Sequence, residues 1–223
     1  MYLCGSRFET LIPKPSPAAA RALQHRMAPQ VVRKNGFGKI EAIAGIDVGF
    51  PDGGKTTRAA VVVMDALAET VIDSAVIEQP TGMPYIPGLL SFREVPAMLQ
   101  ALAKLTIQPD LILVDGQGIA HPRRCGSACH LGLACGLPAI GVGKSRLCGS
   151  HSGLPEARGS IVDLRDGGEL IGKVVRTRRQ TSPLFVSVGH RVHLRTAVRI
   201  VLQTAWRYRL PEPIREADRL ASR

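Results

Sequence analysis

Aromatic residues make up only 4% of this 223-residue chain. A core so poor in rings has to be built from Val, Ile, Leu and Ala. Negative charge is also scarce: 18 acidic side chains stand against 29 Lys and Arg, a formal net charge of +11. A surface this basic attracts polyanions, and nucleic acid is the commonest polyanionic partner of a basic protein. The competing explanation is a general compositional lean toward Arg. No apolar run approaches the roughly 18 residues that cross a membrane. The start, MYLCGSRFETLIPKP, lacks the basic and then apolar segments of a secretory signal, so a cytoplasmic location is expected. The five cysteines are odd in number and contain no CxxC pair, which argues against a disulfide framework and for reduced thiols. His121, Cys125 and Cys129 do recur at helical spacing, which opens a zinc-binding, non-enzymatic reading. Zinc sites favour tight CxxC pairs, and cysteine in a small-residue helix is more often packing.

What is present is a 45% hydrophobic fraction, enough for a substantial core. Residues 13–20 (PKPSPAAA) read as a loose entry and 18–32 as a short helix. IEAIAGIDVGF (40–50) reads as a strand carrying Asp47 to its tip, and PDGGK (51–55) as a turn. Strands over 59–66 and 70–78 complete an antiparallel meander. A helix is expected over 92–105, a fully apolar strand at 111–115, a helix through 125–136 and a strand at 139–142. Three more strands are expected near 160–164, 169–175 and 184–188, and a long amphipathic helix over 194–205. The order β-β-β-α-β-α-β gives a mixed central sheet flanked by helices. The expectation is one α/β domain spanning 1–223, with residues 1–35 as an N-terminal helical extension.

Two strands end on a carboxylate: AGIDVGF at Asp47 and LILVDGQG at Asp115. Neighbouring strands lie about 5 Å apart. Carboxylates about 4 Å apart repel by roughly 4 kcal/mol at an effective dielectric near 20. Such a pair takes up a proton or a cation, and an all-oxygen set suits Mg²⁺. The alternative is that each Asp only satisfies turn amides beside a glycine. Further on, Pro84 and Pro87 stiffen a loop displaying Tyr85 and Ile86, the kind of apolar wedge that enters a base stack. Ser91 and Glu94 have the spacing of a capping box, but Pro96 would then fall beyond the first turn, leaving Glu94 a spare carboxylate near the same sheet edge.

PYIPGLLSFREVP, VDGQGIAHPRRCGSACHLG, PAIGVGKS, VGHRV and YRLPEPIREAD together resemble the motif set of the endonuclease V family, in that family's order, from about residue 40 to 219. The resemblance implies an RNase H-like fold and Mg²⁺-dependent (or Mn²⁺-dependent) cleavage of the second phosphodiester 3′ to a deaminated base such as deoxyinosine. By motif, Asp47, Asp115 and Glu94 look like the metal ligands, and Asp218 falls where the family has a further acid or a His. Lys144 is similar to the lysine beside the scissile phosphate, Tyr85 to the strand-separating wedge, and His121 to a site histidine. Gly88, Leu90, Gly116 and Leu147 fall where relatives line the pocket for the extruded base.

Gly143 departs from the family's alanine, a change expected to loosen Lys144. Arg123, Arg124, Arg176, Arg178 and Arg179 are candidate phosphate contacts, with a solvated strand edge as the plainer reading of 176–179. The expected partner is DNA bearing deaminated bases, acted on by a monomer. An inosine-directed ribonuclease, or another RNase H-like nuclease such as a junction resolvase, is the rival.

Overall fold

The computed structural model describes residues 16–67 and 69–222. The N-terminal part of the proline-rich entry, to residue 15, lies outside the described residues. Helix α1 (Pro17–Met27) starts where the sequence allows it. Ser16 Oγ accepts the Ala19 amide at 3.0 Å, and Pro17 takes the first position, where a missing N–H costs nothing. A 3₁₀ turn over Ala28–Gln30 ends it, two residues short of the expected boundary.

Strands β1 (Ala42–Gly49), β2 (Thr56–Asp65) and β3 (Val71–Pro80) form the expected antiparallel meander. The PDGGK turn between β1 and β2 takes Asp52 and Gly53 into left-handed backbone angles. Helix α2 (Leu90–Ala103) leads to β4 (Leu111–Asp115), which runs parallel to β1. Helix α3 (Ser127–Cys135) leads to β5 (Ala139–Gly143), parallel to β4. Strands β6 (Ile161–Asp166), β7 (Glu169–Val175) and β8 (Leu184–His190) form a second antiparallel meander, whose β8 pairs antiparallel with β5. Helices α4 (Leu194–Thr204) and α5 (Glu212–Ala221) complete the chain. The sheet order is β3-β2-β1-β4-β5-β8-β7-β6. This is an α/β fold of the RNase H-like kind, a mixed sheet flanked by helices.

Strand periodicity decides what each face carries. Ala42, Ala44 and Ile46 of β1, with Ile112 and Val114 of β4, pack against Val95, Met98 and Leu102 of α2 and Ala128 and Leu131 of α3. Ile43, Leu111, Leu113, Ile140 and Val142 point the other way, into a cluster that holds Val198 and Val201 of α4 and Ile214 of α5. Asp47 and Asp115 alternate in step with this second set.

Two expectations need correction. Helix α2 starts at Leu90, two residues before the expected start, so Ser91 is inside it; no side chain caps it, in line with the argument from Pro96. Ser91 Oγ lies 3.2 Å from His130 Nδ1 instead, and Pro96 stands within the helix, leaving the Phe92 carbonyl without its usual donor. The second correction is α5, which the sequence reading did not foresee.

Candidate active site

The β1–β4 register pairs Ile46 with Val114, so one step further Asp47 stands beside Asp115. Val142 of β5 pairs with Asp115, and two residues later the chain presents Lys144. Helix α5 crosses the same strand ends and brings Asp218. The Lys144 ammonium lies 2.5 Å from Asp115 Oδ2, 2.9 Å from Asp218 Oδ1 and 3.7 Å from Asp47 Oδ2. The first contact is an ion pair without an aligned hydrogen bond; the second is a hydrogen bond.

Electrostatics follows from this crowding. Burial, then the charge of Asp115, pushes Asp47 up to about 8, against the pull of Lys144. Burial also raises Asp115, though Lys144 opposes it. Asp218 is held below its ordinary value, chiefly by the Lys144 hydrogen bond. Burial works against the Lys144 charge, but its carboxylate partners outweigh that and keep it firmly protonated.

Three carboxylates against one ammonium leave net negative charge in a partly dry place. Among the described residues, Asp47, Asp115 and Asp218 form the group whose ligand atoms all lie within 4.8 Å of one another. An all-oxygen, anionic cluster fits a hard divalent cation. Glu94 stands apart from this trio. It is buried, accepts Ser127 Oγ at 2.8 Å, and is pushed up to about 8 by burial and then by Asp115.

All of these residues except Asp218 line a cavity of about 330 Å³. Its lining brings together Asp47, Asp115, Glu94, Lys144, Tyr85, Gly88, Leu90, Gly116, His121 and Leu147. Tyr85 is 64% exposed at the rim, so it has not folded back onto the core. Pro84 and Pro87 are exposed beside it, outside the lining. Ile86 corrects an expectation: it packs against the core cluster rather than being displayed. His121 is buried and pushed down to about 4 by burial and then by the Arg123 charge. Its Nδ1 accepts the Arg123 amide at 3.1 Å, so the proton sits on Nε2, which meets the Gly88 carbonyl at 3.0 Å.

Several cations are committed elsewhere. Arg123 turns inward to Gln24 and Gly88. Arg124 pairs with Asp166 and Glu169. Arg176 and Arg178 donate to main-chain carbonyls, which favours the plainer reading of that run; Arg179 is exposed. Arg146, not singled out in the sequence, lines the cavity. So does Gln117, whose Nε2 donates to the Ser145 carbonyl at 2.9 Å, across Lys144. A Cβ at Gly143 would sit 2.0 Å from that same nitrogen, so the glycine makes room for Gln117. Burial pushes Cys125 up to about 12 and Cys129 well above the ordinary thiol range, so neither is poised as a thiolate ligand. A larger groove of about 620 Å³, lined by Arg158, Lys173, Arg195 and Arg199, has no carboxylate in its lining among the described residues. No helix among the described residues is long and apolar enough to cross a membrane.

The sequence profile of Endonuclease V matches residues 25–219. The endonuclease V of Azotobacter vinelandii is 54% identical over 93% of this chain and 94% of its own length. That of Roseiflexus castenholzii is 50% identical over 91% of this chain and 90% of its own. Among solved structures, the endonuclease V of Streptomyces avermitilis superposes with a TM-score of 0.89 at 40% identity, covering 95% of both chains. A Ciona intestinalis endonuclease V, in complex with a 24mer DNA containing an inosine followed by a ribo-adenosine, superposes with a TM-score of 0.81 at 27% identity. That match covers 92% of this chain and 95% of the other. With the acids at its strand tips and these relatives along nearly its whole length, the chain belongs to the endonuclease V family of nucleases.

Proposed function

We propose that this chain is a divalent-cation-dependent endonuclease that recognises deaminated bases, deoxyinosine first, and hydrolyses the second phosphodiester 3′ to the lesion. The observation that carries the reading is one cavity whose lining joins Asp47 and Asp115, two of the three clustered carboxylates, to Glu94 and an exposed tyrosine. The Ciona relative's inosine-containing DNA supports the choice of substrate.

Asp47, Asp115 and Asp218 would hold the cation. Asp47 and Glu94, both near 8 without one, would ionise on its arrival, which brings Glu94 into the set as a further carboxylate. When bound, Mg²⁺ or Mn²⁺ would neutralise charge at the scissile phosphate and make a water more acidic. Lys144, paired with Asp115 and Asp218 yet 39% exposed, offers its ammonium to the same phosphate as negative charge develops. The products would be a 3′-hydroxyl and a 5′-phosphate.

Recognition rests on extrusion, because a poorly paired inosine costs less to unstack than a normal base. Tyr85 would fill the vacated space. Gly88, Leu90, Gly116 and Leu147 offer main chain and small apolar surface to the flipped base. His121, neutral and turned toward Gly88, shapes that wall without donating to the base from its ring. Arg146 is placed to meet a phosphate at the mouth.

The test is a cleavage panel of deoxyinosine DNA, undamaged DNA, inosine RNA and four-way junctions, each with Mg²⁺ and with chelator. Cation-dependent cutting confined to deoxyinosine DNA, two bonds 3′ of the lesion, is expected. The ribo-adenosine in the DNA bound by the Ciona relative makes inosine RNA the second substrate to watch. Cutting of junctions alone would refute the proposal.

A further inference from the structure

The cavity wall beside Tyr85 is fixed from outside the motif set, by Gln24 on α1. Gln24 is a fully buried polar side chain that also reaches the cavity lining. Its Nε2 donates to the carbonyls of Gly88 and Cys125, each at 3.0 Å, and its Oε1 accepts Arg123 Nε at 2.6 Å. The Gly88 carbonyl takes two further donors, His121 Nε2 at 3.0 Å and Arg123 Nη2 at 2.6 Å. Three donors on one oxygen with two lone pairs exceed what a surface turn requires. Gly88 itself sits at φ +76°, where an added Cβ would lie 2.6 Å from Arg123 Nη2. One carboxamide on α1 thus joins the loop that bears Tyr85 to the segment after β4 that carries Arg123 and Cys125.

We infer that Gln24 is a positioning residue that sets base specificity. It holds the Gly88 main chain, and through it Tyr85 three residues earlier, at a fixed separation from the Gly116 side of the cavity. The inference rests on reading that cavity as the pocket for an extruded base. A wall held this way admits hypoxanthine and leaves no room for the 2-amino group that guanine adds; a wall that gives admits it. Helix α1 is then part of lesion recognition.

Gln24→Met keeps the side-chain length and removes all three hydrogen bonds. The expected result is a fall of about tenfold in the preference for deoxyinosine over deoxyguanosine at the same position, the loss that one or two net hydrogen bonds produce. The larger share should appear in KM rather than kcat. Gln24→Glu is the second variant. It keeps an acceptor for Arg123 but opposes two carbonyls with a carboxylate, and the loss should run in the same direction. Thermal melts identify which variants fold. A folded variant of either kind that keeps the parent's preference overturns the assignment, as does a loss confined to kcat with the preference intact. The unaltered chain tests the underlying reading separately: no preference for deoxyinosine there would remove base recognition itself, whatever Gln24 does.

Discussion

Gly45→Ala should dismantle the carboxylate cluster from a distance. Gly45 sits in the middle of β1 on the face that receives α5. A Cβ there would meet the Pro213 carbonyl carbon at 2.0 Å, its oxygen at 2.1 Å and the Ile214 nitrogen at 2.3 Å. Carbon atoms in ordinary contact lie about 3.5–4.0 Å apart, so the start of α5 must retreat by roughly 1.5 Å. All three obstacles are main-chain atoms, which cannot rotate away as a side chain would. Overpacking of this kind costs about 1–3 kcal/mol, and a clash with backbone belongs at the upper end. For a chain of this length about 3 kcal/mol lowers Tm by roughly 6–12 °C. Asp218 moves with the helix, and its 2.9 Å hydrogen bond to Lys144 would open by a similar distance, beyond bonding range. Melts with chelator and with Mg²⁺, alongside single-turnover cleavage of deoxyinosine DNA, check both consequences. The variant should melt lower, gain less from Mg²⁺ and cut more slowly. Gly38→Ala is the control, because a Cβ there meets nothing within 4 Å. A Gly45→Ala protein that melts within about 2 °C of the parent and cuts equally fast would refute the idea that close approach of α5 positions Asp218.

Three other outcomes follow from the same geometry. Asp115→Ala should abolish cleavage while leaving deoxyinosine DNA binding measurable by anisotropy; retained turnover would remove Asp115 from the catalytic set. Tyr85→Ala, at a side chain 64% exposed, should leave Tm nearly unchanged but reduce discrimination against undamaged DNA, and unchanged discrimination would dispose of the wedge. Stability should also depend on pH in a definite direction. Asp47 and Glu94 are raised to about 8 in the folded chain, so without cation the stability they contribute is complete below the unfolded carboxylate range and is lost as pH rises toward 8. His121 and His190, lowered to about 4 by burial, act in the opposite direction, costing stability as pH falls from about 6.5. Between about pH 6.5 and 8 only the carboxyls remain in play, so Tm in chelator should fall across that window and fall less with Mg²⁺. A flat or rising Tm in chelator would contradict the crowding of buried acids.

How far the sequence could be read depended on whether a signal was local. The β1–β2–β3 meander and the buried β4 were legible because β-branched runs bounded by turn residues leave few alternatives. The adjacency of Asp47 and Asp115 followed once β1 and β4 were taken as neighbours. The places of Glu94 and Asp218 are spatial facts that sequence spacing does not carry. Glu94 belongs to the cavity, but its carboxylate is spent on Ser127, a contact across 33 positions that no spacing encodes. Asp218 joins the tight trio because α5 packs onto β1, and α5 is not among the expected helices: YRLPEPIREAD entered as a motif, and its period was not used. Yet Ile214, Ala217 and Ala221, the buried positions beyond the first two residues of that helix, recur at helical intervals. The complementary mark is on β1. Gly45 and Gly49 alternate with Asp47 on one strand face, and a Cβ at Gly49 would lie 2.3 Å from the Ala221 carbonyl. Two glycines flanking an acid on the same face of a buried strand are costly for the strand itself, and the cost makes sense only where another backbone must lie directly on it. The pattern therefore announces a close-packed partner over Asp47 before any partner is known. The Gln24 carboxamide leaves no comparable mark, because each of its bonds ends on atoms at least 64 positions away and two of the three accepting or donating groups' partners are main-chain carbonyls that any sequence would supply.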